Sequence, residues 1–289
     1  MKMKKVVVCD SGLGGLNIAA RFFGNESANE LEKCSLIYFN AYPSATCGFN
    51  KLGSMREQEE VFRDVFEGMK KLSPDLCLIA CNTLSIVYER LKKWYEVPFE
   101  VVGIIDAAVN GMFDVMQQNP ECSMLILGTK STVESGVYAQ KLIEKGIDPK
   151  RIKGLGCPGL ATLLESDSAS EAVKNDIAAY AEQARELFTE EPRKLFCALC
   201  CTHFGFASDI WKHEFSRVFK GFAGLVNPND LLGTGFGAAD FSYRSRIDFF
   251  PGARESMSAY FEKKAPQIAD ALKNAAAEND LFNFIEGNK

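Results

Sequence analysis

Leu76-Cys77-Leu78-Ile79-Ala80-Cys81-Asn82-Thr83 can be laid over Phe196-Cys197-Ala198-Leu199-Cys200-Cys201-Thr202-His203. Each stretch is a short apolar run of the kind that makes a buried strand, closed by a cysteine and two polar side chains. A second pair lies upstream, where Val8-Cys9-Asp10-Ser11-Gly12 corresponds to Leu127-Gly128-Thr129-Lys130-Ser131. Asp10 precedes Cys81 by 71 residues, and Thr129 precedes Cys201 by 72. The chain therefore reads as two related halves. Each presents a cysteine at the carboxyl end of a strand, where open parallel sheets bind their ligands.

Outward from these stretches, apolar runs at 5–9, 36–39, 101–105 and 124–127 predict further strands. Helical patterns lie between them. Ser54-Met55-Arg56-Glu57 is a capping box, and behind it Phe62, Val65, Phe66, Met69 and Leu72 keep helical spacing until Ser73-Pro74 stops the helix. Ser131-Thr132-Val133-Glu134 predicts a second capping box, opening a helix that ends near Gly146. Val173, Ile177, Tyr180, Ala184 and Leu187 predict a long amphipathic helix. Strands separated by helices give an α/β fold with mainly parallel sheets flanked by helices, here in two pseudo-symmetric domains.

Composition narrows the function. The 289 residues carry 33 Lys+Arg and 38 Asp+Glu, a net charge of −5, with 47 % hydrophobic and 25 % charged residues. That is a folded globular chain, and its acidic balance argues against nucleic acid as a partner. The sequence has no apolar run of the roughly 18 residues that a membrane span needs. The basic start Met1-Lys2-Met3-Lys4-Lys5 leads through three valines and Cys9 to Asp10, too short for a signal-peptide core, so a cytoplasmic protein is expected.

Ten cysteines suggest neither disulfides nor metal. Disulfide frameworks staple domains too small to bury a core. Cys9, Cys77, Cys122 and Cys197 sit in apolar runs, where a free thiol acts as a small hydrophobe. Cys197-x-x-Cys200 with His203 lacks a second ligand pair, so no metal is expected. The Gly12-x-Gly14-x-x-Asn17 loop lacks the third glycine of a dinucleotide fingerprint, and Asp10 ahead of it would repel a pyrophosphate. Val87 and Ala207 stand where a Cys-x5-Arg phosphatase needs arginine, and the Gly-x-Ser-x-Gly elbow of serine hydrolases is absent.

Two equivalent thiols suit one kind of chemistry. If the halves face each other about a pseudo-twofold axis, Cys81 and Cys201 flank the cleft between the domains from opposite sides. Inversion of a stereocentre needs that arrangement: one thiolate takes the Cα proton and the opposite thiol returns one to the other face. Each thiol must titrate nearer neutrality than its usual value of about 8.5. A following helix N-terminus favours the anion. Asn82-Thr83 and Thr202-His203 place donors beside each thiol for a substrate carboxylate, and Asp10 and His203 are candidate proton-handling neighbours. His213, in Trp211-Lys212-His213-Glu214, reads as a surface helix residue.

These residues resemble the aspartate/glutamate racemase family. The matching pieces are Asp10-Ser11-Gly12-Leu13-Gly14-Gly15-Leu16, Ala80-Cys81-Asn82-Thr83, Gly103-Ile104-Ile105-Asp106, Gly128-Thr129-x-x-Thr132-Val133, Cys157-Pro158 with Glu165 behind it, and Cys201-Thr202-His203. The resemblance implies a cofactor-independent racemase with Cys81 and Cys201 as its two bases and a small amino acid as substrate. Asp10, Ser11, Asn82, Thr83, Thr202 and His203 would then bind the amino acid, with Glu165 near the second thiol. Cys47, Gly48, Thr129 and Thr132 would join the substrate-binding positions.

It further implies a first domain of residues 1–103 with 222–289, a second of 104–221, and a homodimer. The family usually interconverts L- and D-glutamate, supplying the D-isomer for the bacterial cell wall. Departures concern the pocket. Thr46-Cys47-Gly48 replaces the usual Pro-Tyr-Gly, Asp106-Ala107 replaces Glu-Pro, and Leu84 stands where a small residue is usual. Lys51 in the altered loop has two readings, a contact for a substrate's distal carboxylate or a solvated charge. In the tail, Phe249-Phe250-Pro251-Gly252 precedes an amphipathic pattern that Pro266 kinks or breaks. Aspartate or another small amino acid is the alternative substrate. A non-catalytic amino-acid binder and a one-cysteine decarboxylase or isomerase are the alternative classes.

Overall fold

Val6, Val7, Val8 and Cys9 are apolar on both faces, as a strand with sheet neighbours on both sides and helices above and below must be. All four are fully buried in the first sheet. The computed structural model describes residues 3–24, 31–233 and 235–284, so Met1 and Lys2 of the basic start lie outside the described residues. The chain divides into two compact units, Met1–Ile104 with Leu232–Lys289, and Ile105–Leu231.

The first unit holds β1 (Lys4–Asp10), β2 (Glu32–Asn40), β3 (Leu76–Ile79) and β4 (Glu100–Gly103); the second holds β5 (Ser123–Gly128), β6 (Ile152–Gly156), β7 (Leu195–Cys200) and β8 (Phe222–Val226). The sheets run β4-β3-β1-β2-β9 and β6-β5-β7-β8, with every pairing parallel; β9 is Phe236–Ser245. Numbered within each unit, the first four strands take the same order, fourth-third-first-second. The likeness between the 76–83 and 196–203 stretches is thus a repeat of topology. The spacing follows from the register: Val8 and its partner Leu78 are two residues closer in sequence than Ile126 and its partner Ala198, and one of those two residues is offset because Asp10 follows Val8 by two where Thr129 follows Ile126 by three.

The helices of the first unit are α1 (Leu16–Arg21), α2 (Met55–Lys70) and α3 (Asn82–Leu91). Then α4 (Ile104–Gln118) leads into the second, which adds α5 (Lys130–Glu134), α6 (Val137–Glu144), α7 (Leu160–Ser166), α8 (Glu171–Glu186) and α9 (Ser208–Val218). The tail carries α10 (Ala253–Phe261) and α11 (Pro266–Asn274) back in the first unit. Ser54 caps α2 by accepting from the Glu57 amide at 3.1 Å, while Glu57 reaches back to the Gly53 amide at 2.6 Å, one residue earlier than in the usual box. Phe62, Val65, Phe66 and Met69 are fully buried against Val7, Cys9, Phe39 and Ile79 of the sheet, and Leu72 packs at the edge of that core. Burying faces of this size is the main stabilising contribution.

Three expectations are corrected. The second capping box does not form: Thr129 caps α5, accepting from the Thr132 amide at 3.2 Å, and Ser131 lies inside the helix. The helix also does not continue to 146, because Gly136 adopts φ +66° and separates α5 from α6. The second unit runs to Leu231 rather than 221, since β8 pairs with β7. In the tail Pro266 breaks the pattern and opens α11 at its first turn, where the missing N–H is harmless. Beyond α11, Leu281 and Phe282 enter the first core beside Gly68, where an added Cβ would lie 2.2 Å from the Leu281 carbonyl oxygen.

Candidate active site

In the first unit the chemistry collects at the carboxyl ends of β1 and β3. Asp10, last residue of β1, is fully buried. The following turn passes so close to the residue after β3 that a Cβ on Gly15 would stand 2.9 Å from the Ala80 Cβ and 3.0 Å from Asp10 Oδ2. The Tyr38 hydroxyl pins this turn by donating to the Gly12 carbonyl at 2.8 Å. Ser11 Oγ then lies 3.1 Å from Cys81 Sγ.

Cys81 is not a strand residue, because β3 ends at Ile79. It is the N-cap of α3, with Sγ accepting from the Leu84 amide at 3.5 Å. A sulfur there receives both an orphan amide and the positive end of the helix, two effects that favour thiolate. Asn82 and Thr83 form the buried first turn beside it. Leu84 is fully buried, which accounts for a large residue at that position.

Around the thiol, Cys9 hydrogen-bonds Cys77; burial first, then that contact and the charges of Cys77, Asp10 and Cys81, raise Cys9 well above its ordinary value. Burial likewise raises Cys34, to about 11, and Cys157, Cys197 and Cys200. These five are packed neutral thiols, as expected of small hydrophobes. All ten cysteines are free. Among the described residues no group of three or more His, Cys, Asp or Glu is placed to hold a metal.

Cys47 packs against the same apolar cluster that contains Cys81. Gly48 lies against the Tyr42 ring: a Cβ on it would stand 2.6 Å from the Tyr42 hydroxyl. Nothing in the sequence shows that Tyr42, six residues earlier, folds onto Gly48. Lys51 donates to the Thr46 carbonyl at 3.2 Å, so its ammonium ties the loop to itself.

In the second unit Cys201 follows β7 but has different neighbours. A 3-10 turn, Thr202–Ala207, separates it from α9, and its side chain makes no cap bond. Its partner is His203, whose Nδ1 lies 3.8 Å from Cys201 Sγ and whose Nε2 lies 2.6 Å from Glu165 Oε1. All three side chains are buried. Burial works against a charged imidazole, but the Glu165 charge and the bonds to Cys201 and Glu165 prevail, raising His203 well above its ordinary value. Carboxylate, imidazolium and sulfur therefore form one chain of contacts.

Asn229, which no sequence motif marks, holds the turn by donating to the Thr202 carbonyl at 2.8 Å. Thr129 and Thr132 are brought together, with the Thr129 hydroxyl donating to Thr132 Oγ1 at 2.9 Å. Thr132 is buried as part of the helix cap. Asp106 pairs with Lys141 at 2.9 Å with its own side chain largely exposed. His213 is exposed on α9, as expected of a surface residue.

Two α/β units of one topology, each with a buried cysteine at the carboxyl edge of its sheet, define a class of thiol-bearing repeat proteins. A model of the Asp/Glu/Hydantoin racemase family matches residues 48–193, half of the chain. The chain belongs to that family.

Relatives include a glutamate racemase of Bacillus cereus, 31 % identical over 172 residues, and one of Oceanobacillus iheyensis, 27 % identical over 205. The first match covers 57 % of this chain and 57 % of that relative's length; the second covers 70 % and 68 %. Among solved structures, a glutamate racemase from Bacillus anthracis superposes with a TM-score of 0.68 at 18 % identity, over 91 % of this chain and 94 % of that one. At that identity the likeness is one of fold. Among the described residues no helix is long and apolar enough to cross a membrane.

Proposed function

We propose that this chain is an amino-acid racemase that interconverts L- and D-glutamate by proton transfer at Cα between Cys81 and Cys201, with no cofactor required. The observation that carries the reading is the Cys201–His203–Glu165 chain of contacts in one unit, set against Cys81 at the α3 N-terminus with Ser11 at 3.1 Å in its repeat.

In one direction a thiolate removes the Cα proton, leaving a carbanion stabilised by the substrate carboxylate. The other thiol then delivers its proton to the opposite face. The C–H bond broken on one side is replaced by one formed on the other, and each sulfur ends in the other's starting state. His203, held charged by Glu165, stabilises the Cys201 thiolate; the Leu84 amide and the α3 N-terminus do so for Cys81. Asp10, Ser11, Asn82, Thr83, Thr129, Thr202 and the 47–48 loop bind the amino acid, and Thr132 supports Thr129.

The relatives' names support glutamate as substrate. On that reading the product is D-glutamate for cell-wall precursors, made in the cytoplasm by a homodimer with no nucleic-acid or membrane partner. The altered Thr46-Cys47-Gly48 loop, with Tyr42 against Gly48, favours aspartate or another small amino acid as the second reading. Proton NMR in D2O tests both. Purified protein incubated separately with L- and D-glutamate and L- and D-aspartate should exchange the Cα proton of both glutamates. Exchange of the aspartates alone would move the substrate, and silence with all four would leave the chain an amino-acid binder.

A further inference from the structure

In the tail stretch Phe249-Phe250-Pro251-Gly252 both rings are half-buried, outside the core. The Pro-Gly pair fixes where they sit. The Ala253 amide donates to the Phe250 carbonyl at 3.0 Å, and Gly252 adopts φ +78° and ψ −18°, the third position of a type II turn, which needs a positive φ. Pro251 fills the second position, which suits its fixed φ. Arg254 braces the turn: its guanidinium lies 4.5 Å from the Phe249 ring centre and donates to carbonyls at the end of α11, Leu272 at 3.2 Å and Ala275 at 2.9 Å.

The two adjacent rings lead to different loops. Phe249 stacks on Tyr243 of β9 with ring centres 5.2 Å apart, and Tyr243 stacks on Tyr38 of β2 at 5.7 Å. The Tyr38 hydroxyl pins the Gly12 carbonyl, in the turn that carries Ser11 to Cys81. Phe250 meets the Tyr42 ring edge-on at 5.2 Å, and Tyr42 is the ring lying against Gly48. Both geometries are attractive arrangements for aromatic pairs. Asn40, last residue of β2, anchors both arms: it donates to the Tyr243 hydroxyl and accepts from the Tyr42 amide, each at 3.0 Å. Arg246 ties the foot of the second loop by donating to the Pro43 carbonyl at 2.8 Å.

We propose that Phe249 and Phe250 are positioning residues for the first unit's part of the candidate site: Phe249, through Tyr243 and Tyr38, sets the turn bearing Asp10 and Ser11, and Phe250, through Tyr42, sets the 47–48 loop. The kinetic consequence rests on the racemase reading; the loop positions do not. On that reading Ser11 bonds the sulfur that exchanges the proton, so Phe249 governs kcat, and the 47–48 loop binds the amino acid, so Phe250 governs KM.

The test uses the full chain with Phe249→Ala, Phe250→Ala and the ring-keeping Phe249→Tyr and Phe250→Tyr. In 15N-labelled protein, Phe249→Ala should move chiefly the Ser11 and Gly12 amide signals, and Phe250→Ala chiefly those of Cys47 and Gly48. With glutamate, Phe249→Ala should lower kcat roughly tenfold, as lost positioning does, while Phe250→Ala should raise KM roughly fivefold with kcat nearly unchanged. Both tyrosine variants should stay close to wild type. Should an alanine protein fail to fold, Phe249→Leu and Phe250→Leu, which keep apolar volume without the ring, are expected to give the same split. A lower urea midpoint with wild-type amide signals, KM and kcat would mean packing alone and overturns the proposal. Equal movement of both loops in both variants overturns the division between the rings. A wild-type protein that exchanges no amino-acid Cα proton refutes the racemase reading, and the amide signals then decide the loop positions by themselves, so the two fail separately.

Discussion

His203 Nε2 lies 2.6 Å from Glu165 Oε1, and the same ring's Nδ1 lies 3.8 Å from Cys201 Sγ. A buried imidazole would ordinarily be neutral; here an equally buried carboxylate keeps it charged beside the Cys201 sulfur. The first unit surrounds its thiol differently, with a helix N-terminus and a serine hydroxyl around Cys81. The two thiols are equivalent by topology and unequal in surroundings.

Glu165→Gln tests the source of the imidazole charge. His203 should then titrate down toward its ordinary range, measured by the ring-proton shift. Racemisation should fall at least about tenfold, as expected when an activating partner of a general acid or base is lost. The pair also predicts a pH dependence of stability. Because the folded value of His203 is raised, its contribution is fully present below the ordinary imidazole value of about 6.5 and is lost as pH rises through the raised value. The wild-type urea midpoint should fall across that upper window, and the Glu165→Gln midpoint should stay flat there.

Ser11→Ala removes the hydroxyl 3.1 Å from Cys81 Sγ. A hydrogen bond to a charged group contributes about 1.5–3 kcal/mol. We expect kcat/KM to fall by roughly tenfold or more, with the thermal midpoint nearly unchanged. Unaltered kinetics would remove Ser11 from the site.

Gly15→Ala places a Cβ 2.9 Å from the Ala80 Cβ and 3.0 Å from Asp10 Oδ2. Neither neighbour is the free end of a long side chain, so the turn must shift. Overpacking of this kind costs about 1–3 kcal/mol. Denaturant unfolding should show that loss, accompanied by reduced turnover because Asp10 and Ser11 move with the turn.

Much of this was legible in the residues, for reasons visible at particular positions. A strand buried on both faces has to be continuously apolar, so 6–9, 76–79 and 195–199 declare themselves, and the shared cysteine after two of them exposes the repeat. Local capping is harder to read. Thr129-x-x-Thr132 and Ser131-x-x-Glu134 have the same spacing, and the choice depends on β5 ending at Gly128, a tertiary fact. The strand β9 was missed because Phe236–Ser245 mixes glycine, serine and charge at a sheet edge, where only one side need be covered. Tyr38 on the Gly12 carbonyl, Tyr42 on Gly48 and Asn229 on the Thr202 carbonyl join segments distant in the chain or folded back on themselves, and no spacing rule signals them. The unequal surroundings of Cys81 and Cys201 were hidden for the same reason: the motifs match, while the 3-10 turn after Cys201 does not.

The two-thiol claim is tested most directly by following solvent deuterium into glutamate with Cys81→Ala and Cys201→Ala protein, each started separately from the L- and the D-isomer. Each variant should lose interconversion by at least about a thousandfold, in line with removal of a general acid or base from the reaction, while circular dichroism stays that of wild type. Near-wild-type interconversion by either variant would contradict the account.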